Sequence, residues 1–206
     1  NRGEYTVHYL AENKNSSIAI KTLKHNEAKS YHLLENVGKW LSMISKGIDI
    51  KAEIIGDVKL AKLTYTYDGA KKDYLPKDVG YGITYVLPII VALLKAKSGD
   101  IVIIENPETH LHPSGQVAVA KLCSLAAEEG IQIIIESHSD HFLNVLRVSI
   151  KEGILKSTNA IVHYFSKDLD EAHSKIVEIS IDEEGKIAKW PEGFFDEMDI
   201  QLEKLW

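Results

Sequence analysis

Apolar residues along this chain follow two different spacings, which separate the predicted helices from the predicted strands. Between Glu27 and Lys46 they recur every three or four positions, which predicts an amphipathic helix that ends near Gly47. Alternating or continuous runs of apolar and β-branched residues predict strands at residues 5–10, 48–55, 58–67, 101–105, 131–135, 160–166 and 175–181. The pattern therefore indicates mixed α/β structure.

The strands at 101–105 and 131–135 are unbroken apolar runs, which is typical of strands buried on both faces of a parallel sheet. A helix is predicted between them, from Pro113 to Glu129, and another follows, so the order is that of a right-handed βαβ unit. Its parallel strands would bring Glu105 and His138 to the same edge. The predicted fold class is α/β, with a mainly parallel sheet, flanking helices and a small β-containing N-terminal lobe.

The chain is predicted to have three parts. Residues 1–74 form the N-terminal lobe, with a strand, a helix and a hairpin that turns at Gly56-Asp57. Residues 75–182 form the α/β part. Residues 183–206 form a tail whose Trp190–Phe195 stretch we expect to pack on the rest, because exposed Trp and Phe side chains are unfavourable.

The composition of the 206 residues is ordinary for a globular protein, with 45% apolar and 26% charged residues. A net charge of −6 argues against a surface built throughout to bind nucleic acid. The single cysteine, Cys123, excludes an internal disulfide, and its apolar neighbours predict a buried thiol in a reducing cytosol. No apolar run is long enough to cross a bilayer, so we expect a cytoplasmic protein without a membrane partner.

A loop with two glycines, Gly80 and Gly82, precedes the apolar segment 86–94 and predicts the start of a helix. The free N–H groups at such a start attract anions, although the same pattern also serves simply to make a turn. Pro88 is expected to kink this helix or to mark its first turn.

Polar residues follow the strand at 101–105, at the strand end where α/β sheets bind their ligands. Glu105 ends the strand, and its carboxylate is a candidate to hold a hydrated Mg²⁺ beside a phosphate. The polar residues that come next are Asn106, Glu108, His110 and His112.

In this order, the motifs resemble those of ABC-class ATPase heads, most closely the SMC-like and OLD-like branch of the bacterial AAA-family ATPases. Residues 78–84 (DVGYGIT) stand where the signature loop belongs, 101–105 stand for Walker B, 107–113 (PETHLHP) run through the D-loop, and 136–139 (ESHS) hold the switch histidine. The likeness covers about residues 75–195. It extends to a group with a C-terminal Trp-Pro-x-Gly-Phe-Phe stretch, and it implies a partial P-loop NTPase fold.

The resemblance implies a head-to-head dimer that encloses ATP and Mg²⁺. Glu105 would hold the Mg²⁺ through water, and His138 would contact the γ-phosphate and stabilise charge during phosphoryl transfer. The signature loop of the partner head would cover the same phosphate. The other residues that the resemblance places near the nucleotide are Gly80, Gly82, Thr84 and Ser137.

The chain departs from the family pattern in two places. It contains no GxxxxGK[ST] motif, the Walker A sequence, so we expect it to be the C-terminal half of a longer ATPase and inactive alone. Walker B in these heads commonly ends Asp-Glu, whereas here the pair is Glu105-Asn106. Because Asn106 can orient a water but cannot accept its proton, we expect slow hydrolysis or a replacement base, for which Glu108 is the candidate.

Two other functions stay open. His110, His112, His138 and His141 have the residue types of a His-ligated, metal-dependent hydrolase, which stoichiometric bound zinc would reveal. Without Walker A, the chain is alternatively a non-catalytic interaction module or one half of a split head. Family resemblance alone indicates bacterial DNA maintenance or phage defence, with a second head, the missing half, DNA or an effector protein as candidate partners.

Overall fold

The structure is a computed structural model that describes residues 3–57, 59–167 and 173–205, without the side chains of 197–199. The helices are α1 (Thr6–Asn13), α2 (Leu33–Ile44), α3 (Tyr81–Lys95), α4 (Pro113–Glu128), α5 (Asp140–Lys151) and α6 (Glu197–Glu203). The strands are β1 (Ile48–Ile55), β2 (Leu60–Tyr67), β3 (Ile101–Glu105), β4 (Gln132–Glu136), β5 (Val162–Ser166) and β6 (Lys175–Ile179). None of the described helices is both long and apolar enough to cross a membrane.

The chain folds into two compact units, Asn1–Phe142 and Leu143–Trp206. The helix α5 begins in the first unit and continues in the second. Compactness alone does not define a domain that folds by itself. The predicted domain boundaries after residues 74 and 182 therefore stay a prediction.

In the first unit, β1 and β2 form the predicted antiparallel hairpin, which pairs Ile48 with Tyr67 and Ile55 with Leu60. Alternate residues of β1, from Ile48 to Ala52, are buried, and the strand packs against α1 and α2. This is the period expected of a strand with one face on a core. Val58, the predicted start of the second hairpin strand, lies outside the described residues.

The predicted helix at 27–46 is confirmed as α2, but the helix begins only at Leu33. The preceding segment is a loop that the Glu35 carboxylate holds. This carboxylate accepts hydrogen bonds from the backbone N–H groups of Lys29 (2.6 Å) and Ser30 (2.9 Å). Side-chain bonds of this kind offer the backbone an alternative to the helix, which is why apolar spacing placed the start too early.

The predicted strand at residues 5–10 is wrong, because the segment forms most of α1. Leu10 and Ala11 are buried and follow Val7 by three and four positions, which is the helical period. Tyr9, which a strand would place on the same face as Val7, is 37% exposed. The short apolar alternation was therefore coincidental, and the helical spacing decides the structure.

The strands β3 and β4 pair in parallel, with Glu105 opposite Glu136, and α4 connects them as the predicted βαβ unit. The prediction of a mainly parallel sheet is wrong, since the described strands form three two-stranded sheets, of which the other two are antiparallel. One face of the β3–β4 pair is open, with Ile103 68% and Ile134 49% exposed. Apolar runs predicted the strands correctly, but they carry no information on what covers a face.

In the second unit, β5 and β6 form an antiparallel pair. The tail packs against it through Phe194, which is 5% exposed and lies with its ring centroid 5.2 Å from that of Tyr164. Trp190, by contrast, is 45% exposed, with the Arg147 guanidinium over its ring at 5.4 Å. The Trp-Pro-x-Gly-Phe-Phe stretch therefore buries one aromatic ring deeply and leaves another at the surface.

The burial of Phe194 yields a stability prediction with a matched control in the same unit. We expect Phe194→Ala to lower the free energy of unfolding by about 3–5 kcal/mol, because it removes a buried ring. Phe165→Ala should change it by less than about 0.5 kcal/mol, because a substitution at an exposed site usually has little effect, and Phe165 is 63% exposed. Urea unfolding measures both values, and equal losses would contradict the packing of the tail.

Candidate functional site

The parallel pairing of β3 and β4 brings the two predicted site residues to one edge. The backbone N–H of Asn106 donates to the carbonyl of Glu136 (2.9 Å), so the two chains still run side by side as the strands end. His138 follows Glu136 by two residues, and its Nε2 lies 3.9 Å from Oε1 of Glu136. Glu105 and His138 both have exposed side chains. A ligand at this edge can therefore reach an acid and an imidazole together.

Asn106, which follows the acid, has a left-handed backbone with φ +49°. Asn tolerates this conformation better than most residues, because its short polar side chain bonds locally. Its carbonyl accepts a hydrogen bond from the N–H of Thr109 (3.0 Å), which closes the turn. The carbonyl of Glu105 is held in turn by the Tyr85 hydroxyl of α3 (3.0 Å). The peptide group that joins Glu105 to Asn106 is therefore held at its carbonyl by Tyr85 and at its N–H by the carbonyl of Glu136.

Glu108 binds the segment that carries His138. Its Oε1 accepts the backbone N–H of His138 (2.7 Å), and its Oε2 accepts the hydroxyl of Ser137 (2.9 Å). Both oxygens of the candidate base are thus in hydrogen bonds with the loop after β4. Ser137, a predicted nucleotide contact, directs its hydroxyl to this carboxylate.

A second hydrogen-bonded bridge lies beside the first. The Ser139 hydroxyl donates to Oε1 of Gln116 (2.6 Å), and Nε2 of Gln116 donates to the carbonyl of Leu111 (3.0 Å). Gln116 lies in the first turns of α4, while Ser139 is buried just before α5. The loop after β4 is therefore tied to the segment after β3 at two places.

The two glycines of the predicted signature loop occupy different environments. Gly80 precedes the first residue of α3, and a Cβ built there would meet no atom within 4 Å. A Cβ at Gly82 would collide with the carbonyl oxygen of His110. Gly80 is thus open to an approaching group, whereas Gly82 is required by close packing of α3 on the segment after β3.

Thr84 does not reach the open side of this loop. Its hydroxyl oxygen is buried, as is that of Tyr65. Burial raises the pKa of the Tyr65 hydroxyl, and the neighbouring Thr84 hydroxyl acts in the opposite direction. The structure therefore places the Thr84 side chain toward the hairpin of the first unit, and its predicted contact with nucleotide finds no support in this position.

A cleft of about 410 Å³ adjoins the glycine loop and the segment from His110 to His112. His110 has a left-handed backbone (φ +62°), and its ring centroid lies 4.8 Å from that of Tyr81 in an edge-to-face contact. Nδ1 of His112 lies 3.1 Å from the hydroxyl of Ser114 at the start of α4. Both histidines thus have packing or capping contacts, as expected for loop residues rather than metal ligands.

The described residues contain no group of three or more His, Cys, Asp and Glu side chains that could hold a metal ion. The His-ligated hydrolase therefore has no ligand set within this part of the chain. Mg²⁺ in a phosphate site needs only one or two protein carboxylates besides water and phosphate oxygens, and the exposed Glu105 meets that requirement. Cys123 is buried, and burial raises the pKa of its thiol to about 12, so it is no nucleophile.

Comparison with known protein families decides the family of the chain. Residues 4–144 match the family described as "AAA domain, putative AbiEii toxin, Type IV TA system". The chain belongs to this AAA-domain family. Residues 155–205 of the same chain match a second family, described as "Protein of unknown function (DUF3696)". No curated protein matches the chain.

The solved structures similar to this AAA domain include an SMC ATPase and two Smc heads. One, from work on ATP-driven dimerization and DNA-stimulated activation of SMC ATPases, has a TM-score of 0.54 at 14% identity, over 84% of this chain and 91% of that one. An Smc head bound to the C-winged helix domain of ScpA has a TM-score of 0.54 at 15% identity, over 72% of this chain. A Pyrococcus furiosus Smc head with an extended coiled coil has a TM-score of 0.50 at 14% identity, over 84%.

The AAA-domain chain spans only 42% and 37% of the second and third of these chains. At these identities the likeness shows the fold alone, which is that of an SMC ATPase head. The family match and the fold confirm the coarser part of the resemblance, an ABC-like AAA ATPase domain. The OLD-like branch, the missing Walker A half and the site roles stay predictions.

Two residues of this AAA domain that join the site elements were missed in the sequence. Tyr85 follows Tyr81 by four positions, so the two rings project from one face of α3, and this spacing was an available signal. Gln116 is a polar residue between the buried Gly115 and Ala118 near the start of α4. A polar side chain at such a position needs partners, but its partner Ser139 is remote in sequence.

The unequal packing of the glycines yields a prediction on stability. We expect Gly82→Ala to destabilise the AAA domain by about 1–3 kcal/mol, because the added methyl group overpacks the contact with the His110 carbonyl. The matched substitution Gly80→Ala should cost less, below about 1 kcal/mol, because the added methyl group meets no atom within 4 Å and only the N-cap of α3 is changed. Chemical unfolding of the two variants measures the difference, and an equal cost would show that the Gly82 contact is not tight.

Proposed function

We propose that this AAA domain is part of an SMC/OLD-like ATPase that binds and hydrolyses ATP with Mg²⁺ between two heads. The observation that carries the proposal is the placement of Glu105 and His138, both exposed, at one end of the parallel pair β3–β4. Parallel sheets bind ligands at this end of their strands. Membership of an AAA-domain family makes a nucleotide the ligand of choice.

The proposed roles follow from what each side chain offers. The Glu105 carboxylate would hold Mg²⁺ through water, and the metal would supply charge neutralisation during phosphoryl transfer. The His138 imidazole lies at the same edge and donates a hydrogen bond to the γ-phosphate. Gly80, with open space before it and helix α3 behind it, faces the nucleotide of the opposing head with free N–H groups.

The activation of water is the weak step of the proposed mechanism. The amide of Asn106 can orient a water by hydrogen bonds, but it cannot take its proton. The observed role of Glu108 is to hold the His138 segment, since one oxygen accepts the Ser137 hydroxyl and the other the His138 N–H, and each oxygen keeps a second lone pair for a proton. We therefore propose slow hydrolysis in which Glu108 holds the His138 segment, against the alternative in which Glu108 is the replacement base.

The open face of the β3–β4 pair supports a partner that completes the head. Parallel strands are usually covered on both faces, whereas here Ile101, Ile103 and Ile134 are 61%, 68% and 49% exposed. The 206 residues contain no GxxxxGK[ST] sequence. Both observations fit a further polypeptide segment that carries Walker A and packs on this face, with a second head across the nucleotide.

The biological setting is proposed from the family description, which names an AbiEii toxin and a type IV toxin–antitoxin system. It favours phage defence or DNA maintenance in bacteria, with DNA or an effector protein as the further partner. The competing proposal is a non-catalytic interaction module, favoured by the lack of a Walker A sequence in the 206 residues. The module would bind its partner equally well with and without ATP, whereas the ATPase requires nucleotide for head dimerisation.

Turnover of the complete head tests the proposed site. We expect Glu105→Gln and His138→Ala each to abolish measurable ATP hydrolysis, a loss on the order of 10²–10³ or more, because each removes charge stabilisation in phosphoryl transfer. Glu53→Gln, the same change at an exposed residue of β1, is the matched control and should retain full activity. The rate of phosphate release at saturating ATP and Mg²⁺ measures turnover of the wild type and the three variants. Turnover by Glu105→Gln would contradict the proposed role of Glu105 in holding Mg²⁺.

Two substitutions of Glu108 separate its alternative roles. A residue that holds the His138 N–H needs an acceptor oxygen, so Glu108→Gln should retain more turnover than Glu108→Ala. A catalytic base needs the carboxylate itself, so the two variants would lose turnover equally. We expect the Gln variant to keep measurable turnover, and kcat determined for both against wild type gives the answer.

A further inference from the structure

The bridge through Gln116 joins the His138 loop, which the proposed function places against phosphate, to the segment on which the glycine loop packs. On one side is the loop after β4, with His138 next to Ser139. On the other side is Leu111, whose side chain lies 3.0 Å from the position of a Cβ on Gly82, two residues after Gly80. The Gln116 side chain spans the space between these segments by two hydrogen bonds.

The chemistry of the bridge fixes the orientation of the amide. The Leu111 carbonyl can only accept a hydrogen bond, so Nε2 of Gln116 must face it, and Oε1 must face Ser139. The Ser139 hydroxyl therefore donates to Oε1 of Gln116 (2.6 Å), while it accepts the N–H of Phe142 (3.4 Å) at the start of α5. The hydrogen bonds of this relay, as we call the bridge with Ser139 included, all donate in one direction, from the N–H of Phe142 in α5 to the Leu111 carbonyl after β3.

Glutamate cannot replace glutamine in this relay. Its carboxylate would still accept from Ser139, but its second oxygen would face the carbonyl oxygen of Leu111, and two acceptors repel. Buried polar groups that lose a partner are costly, and Ser139 is 8% exposed. The site therefore requires both the donor and the acceptor of the amide.

We infer that Gln116 is a positioning residue that locks the His138 loop to the His110–His112 segment, so that His138 is set in place relative to the segment on which the glycine loop packs. This inference rests on the proposed function, since the nucleotide gives both parts their task. The proposal gives Gln116 no contact with phosphate. It acts through Ser139 on the placement of His138, and through Leu111 on the packing of the glycine loop.

Steady-state ATP hydrolysis by the complete head tests the inference with two variants of Gln116 and a matched control. We expect Gln116→Glu to lower kcat by up to about a hundredfold, because a small misplacement of a catalytic group has that effect. KM for ATP should stay within about twofold, because the relay makes no contact in nucleotide binding. Gln116→Met, which keeps the length but loses both bonds, should also lower kcat. Gln132→Glu, the same change at the exposed start of β4, should leave kcat unchanged.

Amide hydrogen exchange of this chain without nucleotide is the second readout. Gln116→Glu and Gln116→Met should both raise exchange in residues 137–142 and 109–112 together, and Gln132→Glu should raise neither. Unchanged exchange in either segment, or a wild-type kcat in both Gln116 variants, overturns the inference. If the wild-type complete head does not hydrolyse ATP, the proposed function fails. The exchange experiment on this chain still decides whether Gln116 links the two segments.

Discussion

The parallel pairing of β3 with β4 is the constraint on which the candidate site depends. Parallel strands end at the same edge of a sheet, so the register that sets Glu105 opposite Glu136 also fixes where His138 can lie. A shift of the register by one residue would turn these side chains to opposite faces. The sixteen-residue helix α4 connects the two strands, so no hairpin joins β3 to β4 at this edge, and the edge stays open to a ligand.

The segment from Asn106 to His112 contacts three other parts of the fold, the loop after β4, α4 and α3. Glu108 binds the loop after β4, Gln116 of α4 binds the Leu111 carbonyl, and α3 packs on the His110 carbonyl at Gly82. Two of its residues, Asn106 and His110, have left-handed backbones. Such conformations persist where the surroundings determine them, and they are common at functional sites. The segment is therefore held by hydrogen bonds and packing between the predicted signature loop and the loop of the predicted switch histidine.

The sequence predicted those parts of the fold that depend on local pattern and chain order. The unbroken apolar runs and the turn residues located β3, β4 and the helix between them, and the parallel direction of the two strands then placed Glu105 and His138 at the same edge. It could not show that Glu108 is held in two hydrogen bonds, since the partners lie about thirty residues away in the chain. The prediction of a strand at residues 5–10 was wrong, because six residues are too few to distinguish the period of a strand from that of a helix.

In the proposed function, a further protein segment covers the open isoleucine face of the sheet. Burying an aliphatic side chain contributes about 1.5–3 kcal/mol, so covering Ile101, Ile103 and Ile134 offers a driving force of several kcal/mol for association. Under that proposal, the same event would deliver the Walker A loop, whose GxxxxGK[ST] sequence does not occur in the 206 residues. Hydrophobic burial on one face of β3–β4 would then be coupled to completion of the nucleotide site at its end. Glu108 and Gln116 hold this edge in place without nucleotide. Because an edge that is already ordered loses less conformational entropy when the partner and the nucleotide bind, these two residues favour such coupling.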